Sequence, residues 1–256
     1  GDGLSVSPAS TPMLGILDWG IGGLDVFRKL RAADVRSPVV YVSDSGSAPY
    51  GTLPAAELAM RVATVIDALA RRGGTRVIVG CNAASTVLHT DRVQRVAESL
   101  QGLHGVIEPA IAQTLESGVD DVVVIGGRRT IASRSYHEPL QRAGLRVRGR
   151  VAQPLSALVE RGVLRGKELA ACLHEILDPV RDAPVLISAC THYVAVEDAI
   201  GAHLPSSPRA IHARPSSRPE PRSGSTWPSS RPRSEGSRYP SAAVPSPWRQ
   251  CSATAR

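Results

Sequence analysis

The 256-residue chain carries 30 Lys and Arg against 23 Asp and Glu, a formal net charge of +7, and is 42% hydrophobic and 21% charged. That length encloses one large domain or two small ones around a substantial core, so disulfide stapling is not required. Its longest apolar runs are strand-sized, far below the about 20 residues of a membrane helix, and the opening GDGLSVSPASTPM lacks a basic region followed by an apolar one, which argues against membrane insertion and export.

Taken in chain order, short β-branched runs alternate with longer amphipathic stretches, the pattern of parallel sheets flanked by helices. Strands are expected at 14–17, 39–42, 76–80, 105–107, 121–125, 145–151 and 184–188. A helix is expected at 54–72, where Leu58, Val62, Val65, Ile66 and Leu69 recur at helical spacing, Pro54 is acceptable in the first turn and Gly73-Gly74 is the stop. Further helices are expected at 93–100, 111–116 and 166–177 and just after Gly23. The fold class is α/β, with mainly parallel sheets.

The charge is unevenly placed. Residues 1–204 hold 21 Lys and Arg and 21 Asp and Glu, whereas 205–256 hold 9 Arg, 2 Glu, 13 Ser and 10 Pro. Such a tail buries too little apolar surface to offset the entropy of ordering and is expected to be disordered. With the body electrically balanced and only 4% of residues aromatic, no specific nucleic-acid partner is expected.

The four cysteines, Cys81, Cys172, Cys190 and Cys251, form no CxxC pair or cluster, so neither a disulfide scaffold nor a structural zinc site is indicated. Free thiols without an export signal fit the cytoplasm. The histidines other than His192 show no ligand spacing, and no metal is expected.

Two segments match in layout: VIVGCNAAST (77–86) and VLISACTHYV (185–194) each run from a β stretch through a cysteine beside small polar residues into a helix start. Residues just past the C-terminal end of a strand are those that meet ligands in open α/β sheets. Cys81, followed by Asn82 and Ser85, reads either as a small buried hydrophobe or as a thiol whose pKa a helix N-terminus lowers. Cys190 precedes Thr191 and His192, and His192 is close enough in sequence to exchange a proton with it. Asp18 ends the first strand before Gly20, Gly22 and Gly23, a turn whose N–H groups could hold a carboxylate; the full GxGxxG fingerprint is absent, which disfavours a nicotinamide site. DSGSAPYG (44–51) reads as an ordinary turn or as a rim loop presenting amides and the Tyr50 phenol to an anion.

Together these strings closely resemble the glutamate racemase family, within the wider aspartate/glutamate racemase group. The resemblance rests on GILDWGIGG (15–23), DSGSAPYG (44–51), GCNAAS (80–85), GVIEPA (105–110), IGGRRTIASRSY (125–136) and ACTHY (189–193) and spans about residues 13–203. It implies two similar α/β domains facing each other across a cleft, expected at 13–104 and 105–204 between a flexible 1–12 and the 205–256 tail. It implies an isomerase with no cofactor that takes a small amino acid, supplies D-glutamate for peptidoglycan, and uses one cysteine on each face of the α-carbon. By motif Cys81 and Cys190 take those roles, with Asp18 and His192 assisting. Asn82, Ser85, Thr130, Thr191 and the Pro49-Tyr50-Gly51 backbone would hold the substrate. Whether the chain is a homodimer is left open.

The departures are Trp19 where the family has Ser, Ala83 where it has Thr, and a 153–160 segment, QPLSALVE, that lacks a usual cysteine and is one residue short. The tail replaces helical sequence that returns to the first domain, either as a natural extension or, the favoured reading, as a coding-frame disruption. The competing functions are a racemase for aspartate or another amino acid, a catalytically impaired amino-acid-binding or regulatory homologue, and a one-thiol lyase or hydrolase, which retention of both cysteines disfavours.

Overall fold

The computed structural model describes residues 13–204 and 209–212. The expected flexible segment 1–12 and the 205–256 tail, apart from 209–212, lie outside the described residues.

The first half of the chain builds β1 (Met13–Asp18), α1 (Leu24–Ala32), β2 (Val39–Ser43), α2 (Ala55–Arg71), β3 (Gly74–Val79), α3 (Asn82–Ser85), α4 (Asp91–Ala97) and β4 (Gly102–His104). Its four strands are parallel in the order β2-β1-β3-β4. The second half builds α5 (Ile107–Glu116), β5 (Asp121–Gly126), α6 (Arg128–Ala132), α7 (His137–Arg142), β6 (Arg146–Val151), α8 (Gln153–Glu160), α9 (Lys167–Leu177), β7 (Val185–Ala189), α10 (Glu197–His203) and β8 (Arg209–His212). Its strands are again all parallel, in the order β6-β5-β7-β8. Counted from the first strand of each half, both sheets read 2-1-3-4, so the halves repeat one topology.

The period-two alternation of each central strand feeds two cores at once. In β5, Val123 and Ile125 face a core built with α8, α9 and α10, whereas Val122 and Val124 face one built with α5 and α7. In β3, Val77 and Val79 pack on α2, α3 and α4, and Ile78 turns to α1. The α1 side is thin: its fully buried members are Ile16, Val26 and Ile78, with β2 only half-buried against them.

Helix α2 closes as its sequence predicts, because Gly73 takes φ +89 and donates its N–H to the Ala70 carbonyl at 2.9 Å. Two expectations are corrected. The 105–107 run is not a strand; the strand is Gly102–His104, and Ile107 opens α5 with Glu108 in its first turn and Pro109 where no intrahelical N–H is needed. The second sheet also continues past residue 204, since Arg209–His212 pairs with β7 and Ile211 is buried in the α5 and α7 core. A four-residue β run is invisible in a composition averaged over the 205–256 segment. Among the described residues, no helix is long and apolar enough to cross a membrane.

Candidate active site

In a sheet of order 2-1-3-4 the chain reverses its winding between the first and third strands, and their C-terminal ends flank a crevice. In the first half those strands are β1, ending at Asp18, and β3, after which Gly80 donates to the Leu17 carbonyl at 2.8 Å and Cys81 caps α3. In the second half they are β5 and β7, after which Cys190 opens a 3₁₀ turn over Thr191–Val196. Each half therefore carries one thiol at its switch point, and both thiols line one cavity of about 310 Å³.

The cavity gathers most of the expected site. Trp19, Pro49, Tyr50, Gly51, Asn82, Ala83, Thr130, Thr191 and His192 line it with the two cysteines. Asp18 and Ser85 do not. Asp18 is fully buried behind the wall, where its carboxylate accepts from the Gly20 N–H at 3.2 Å and the Thr191 hydroxyl at 3.1 Å. The Ser85 hydroxyl donates to the Cys81 carbonyl at 2.9 Å and accepts from the Val106 N–H at 3.3 Å, holding the cysteine turn against the start of α5.

The two thiols have different surroundings. Cys190 Sγ lies 3.6 Å from His192 Nδ1 and 3.5 Å from Ser156 Oγ, and His192 Nε2 is bonded to the Glu160 carboxylate. Burial disfavours the charged imidazole, but Cys190, Glu160 and Asp18 together outweigh it and push His192 up to about 10. On the other wall, burial raises the Cys81 thiol well above its ordinary value, and the Asp18 carboxylate behind it adds to the rise. Of the two readings of Cys81, this direction is that of a buried thiol and not of one lowered by a helix N-terminus. Helix α3 is only four residues long, and the Ala84 and Trp19 backbone bonds that favour thiolate are the weaker influence. Burial also raises Asp18, opposed by the charge of His192.

The 44–51 loop is pinned from below. Asp44 is buried and accepts from the Tyr50 hydroxyl at 2.6 Å, Arg61 Nε at 2.6 Å and the Ser47 hydroxyl at 3.0 Å. The Tyr50 phenol is thus committed to Asp44, and what that turn offers the cavity is its backbone. Trp19 stays at the cleft: Nε1 donates to the Ser47 carbonyl at 3.1 Å, and its ring centroid lies 6.4 Å from that of His192.

The glycines after Asp18 serve close approach. A Cβ on Gly22 would overlap the Thr191 side chain, and one on Gly20 would stand 2.7 Å from Glu160 Oε1. They let the first half meet the residues around Cys190, while the Gly20 N–H is given to the Asp18 carboxylate.

Sequence reasoning missed Gln153, Ser156, Ala157 and Glu160, all on the cavity wall. They stand at i, i+3, i+4 and i+7 of α8, so the polar Gln153, Ser156 and Glu160 on one face of an otherwise apolar helix were the available signal. Gln153 Oε1 accepts from the Arg128 N–H at 3.1 Å and faces Gly51. Asn82 Oδ1 accepts from the Tyr136 hydroxyl at 2.6 Å, while its buried Nδ2 has no protein partner among the described residues.

These features define a protein of two α/β halves with one strand order, each presenting a thiol to a shared cavity. No family model matches the chain. Individual relatives do. The chain is 34% identical over 191 residues to a glutamate racemase of Beutenbergia cavernae, covering 73% of this chain and 65% of that protein. It is 32% identical over 202 residues to a glutamate racemase of Deinococcus radiodurans, covering 77% and 69%. Among solved structures, glutamate racemase from Francisella tularensis in complex with D-glutamate superposes with a TM-score of 0.72 at 25% identity, over 79% of this chain and 76% of that one. The chain belongs to the glutamate racemase family, and its match spans about two thirds of the length of these curated relatives.

Proposed function

We propose that the chain interconverts L- and D-glutamate, with Cys81 and Cys190 as the two acid/base groups, in the service of peptidoglycan synthesis. The observation that carries this reading is the placement of the thiols at equivalent points of two repeated halves, both on one cavity. Racemisation removes the α-proton from one face and returns a proton to the other, so it calls for two similar groups on separate walls.

In one direction Cys190 is the base. The imidazolium of His192, 3.6 Å from Sγ and held by Glu160, is the counter-charge for its thiolate. As the S–H bond forms, the Cα–H bond breaks and its electron pair passes to the carboxylate-stabilised carbanion. Cys81, which its surroundings keep protonated, then delivers its proton to the opposite face. In the reverse direction the roles exchange. Asp18 assists on the Cys81 side through its charge, one layer behind the wall. The free Nδ2 of Asn82, the hydroxyls of Thr130 and Thr191, and the backbone of Tyr50 and Gly51 supply hydrogen bonds to the substrate's carboxylates and amine. The D-glutamate held by the Francisella tularensis relative supports the substrate.

Chiral chromatography of glutamate incubated with the purified chain tests the reading. Either enantiomer should converge on an equal mixture, and Cys81→Ala or Cys190→Ala should each slow conversion by at least about 10²-fold. Full racemisation by either alanine variant would overturn the two-thiol mechanism. The indole of Trp19 on the cavity wall favours a second reading, a silent amino-acid-binding homologue; calorimetric binding of glutamate without conversion would be its signature.

A further inference from the structure

His174 and Asp178 stand one helical turn apart at the end of α9, and His203 occupies the last turn of α10. They are 29 residues apart at their extremes in sequence and share no spacing motif, yet the packing of α9 on α10 brings them together. His174 Nδ1 lies 2.8 Å from Asp178 Oδ2, and His203 Nε2 lies 2.8 Å from Asp178 Oδ1. The two imidazoles thus approach different oxygens of one carboxylate, with their rings edge to face at 6.1 Å. One ligand atom from each residue lies within 4.8 Å of the other two. None of the three lines the active-site cavity.

We propose that His174, Asp178 and His203 form a site for a divalent cation of the zinc class on the second half of the protein. Two imidazole nitrogens and one carboxylate oxygen are the donor set that zinc, cobalt and nickel favour, whereas magnesium and calcium prefer more oxygen ligands. A tetrahedral zinc with bonds of about 2.0–2.2 Å holds its ligand atoms about 3.3–3.6 Å apart, so the triad needs only small side-chain rotations. Each imidazole then presents a lone pair where it now faces Asp178, and its ring proton resides on the other nitrogen. The His174 side chain is 71% exposed, so the remaining coordination position opens to water. Arg181, one of the positive charges that act on Asp178, opposes any cation at the site, so the two imidazole nitrogens must supply the affinity. A bound ion would tie the end of α9 to the end of α10, the helix directly after the turn that carries Thr191 and His192. Because only the folded chain assembles the triad, the ion stabilises the fold.

The full chain is titrated with Co²⁺ in an absorption spectrometer and with Zn²⁺ by calorimetry, with thermal melts in each. The expected result is one tight equivalent with nitrogen and oxygen ligation, and a melting midpoint raised by several degrees. His174→Ala and His203→Ala should each weaken binding at least tenfold and abolish the shift in midpoint. Asp178→Asn, which keeps the side chain's shape, should weaken binding as well, and circular dichroism of each metal-free variant verifies that it folds. Cys190→Ala should bind the ion as the parent chain does. Binding that survives both histidine changes, thiolate-to-cobalt charge-transfer bands that vanish in Cys190→Ala, or no binding at all would overturn the proposal.

Discussion

Glu160 holds His192 in place and in charge, although it has no motif of its own. Its carboxylate is among the influences that push His192 up to about 10. Glu160→Gln should therefore lower that value, move the basic limb of the pH dependence of kcat to lower pH, and cut kcat roughly 10- to 100-fold with less effect on KM. The same group links pH to stability. A histidine raised on folding from an ordinary value near 6.5 contributes fully below that pH and loses its contribution as pH climbs toward about 10. Chemical denaturation across this window should show stability falling with pH, and Glu160→Gln should flatten the fall. Trp19 is the residue at which substrate choice is tested, because its indole fills space on the wall beside His192. Trp19→Ser should lengthen the cavity and raise kcat/KM for glutamate relative to aspartate; an unchanged ratio would show that the indole does not set substrate length.

The turn after β2 owes its shape to one buried carboxylate. Asp44 gathers Tyr50, Arg61 and Ser47 and so fixes the backbone of residues 49–51 at the cavity rim. Asp44→Ala strips charged hydrogen bonds from a partly exposed arginine and takes the carboxylate acceptor from the Tyr50 phenol, a loss of about 2 kcal/mol that should lower the melting midpoint by roughly 4–8 °C. Elements of this kind were unevenly legible in the sequence. Helix α2 was plain because its apolar stripe and its Gly73 stop agree. The run at 105–107 misled because three apolar residues look alike at the start of a buried helix and in a strand, and only Glu108 and Pro109 point to the helix. At the site, the cysteine strings placed both thiols on the rim, since a strand end followed by small polar residues is a local pattern. Glu160 and Ser156 escaped because a helix face meets the cavity only through the packing of α8 beneath the turn of Cys190. The sign of the Cys81 shift escaped for a similar reason: burial and the proximity of Asp18 are properties of the packed wall, not of the string GCNAAS.

Under the proposed mechanism, catalysis depends on two similar halves meeting closely enough to enclose one substrate. Gly20 and Gly22 of the first half lie against Glu160, His192 and Thr191 of the second. Gly22→Ala adds a Cβ where Thr191 already stands, so it should displace that contact and lower kcat by about 10²-fold while the separate cores keep most of their stability. A melting midpoint that collapses together with activity would show that the contact holds the fold and does not merely align the site. The proposed mechanism has the two thiols act on opposite faces of one α-carbon. The most direct test follows the α-proton by NMR in D2O, starting separately from L- and D-glutamate, in the parent chain and in Cys81→Ser and Cys190→Ser. The parent chain should exchange the α-proton of both enantiomers, and each serine variant should retain measurable exchange with one enantiomer only, the two variants choosing opposite ones. Equal exchange of both enantiomers by either variant, or none by a folded parent chain, would contradict the two-thiol mechanism.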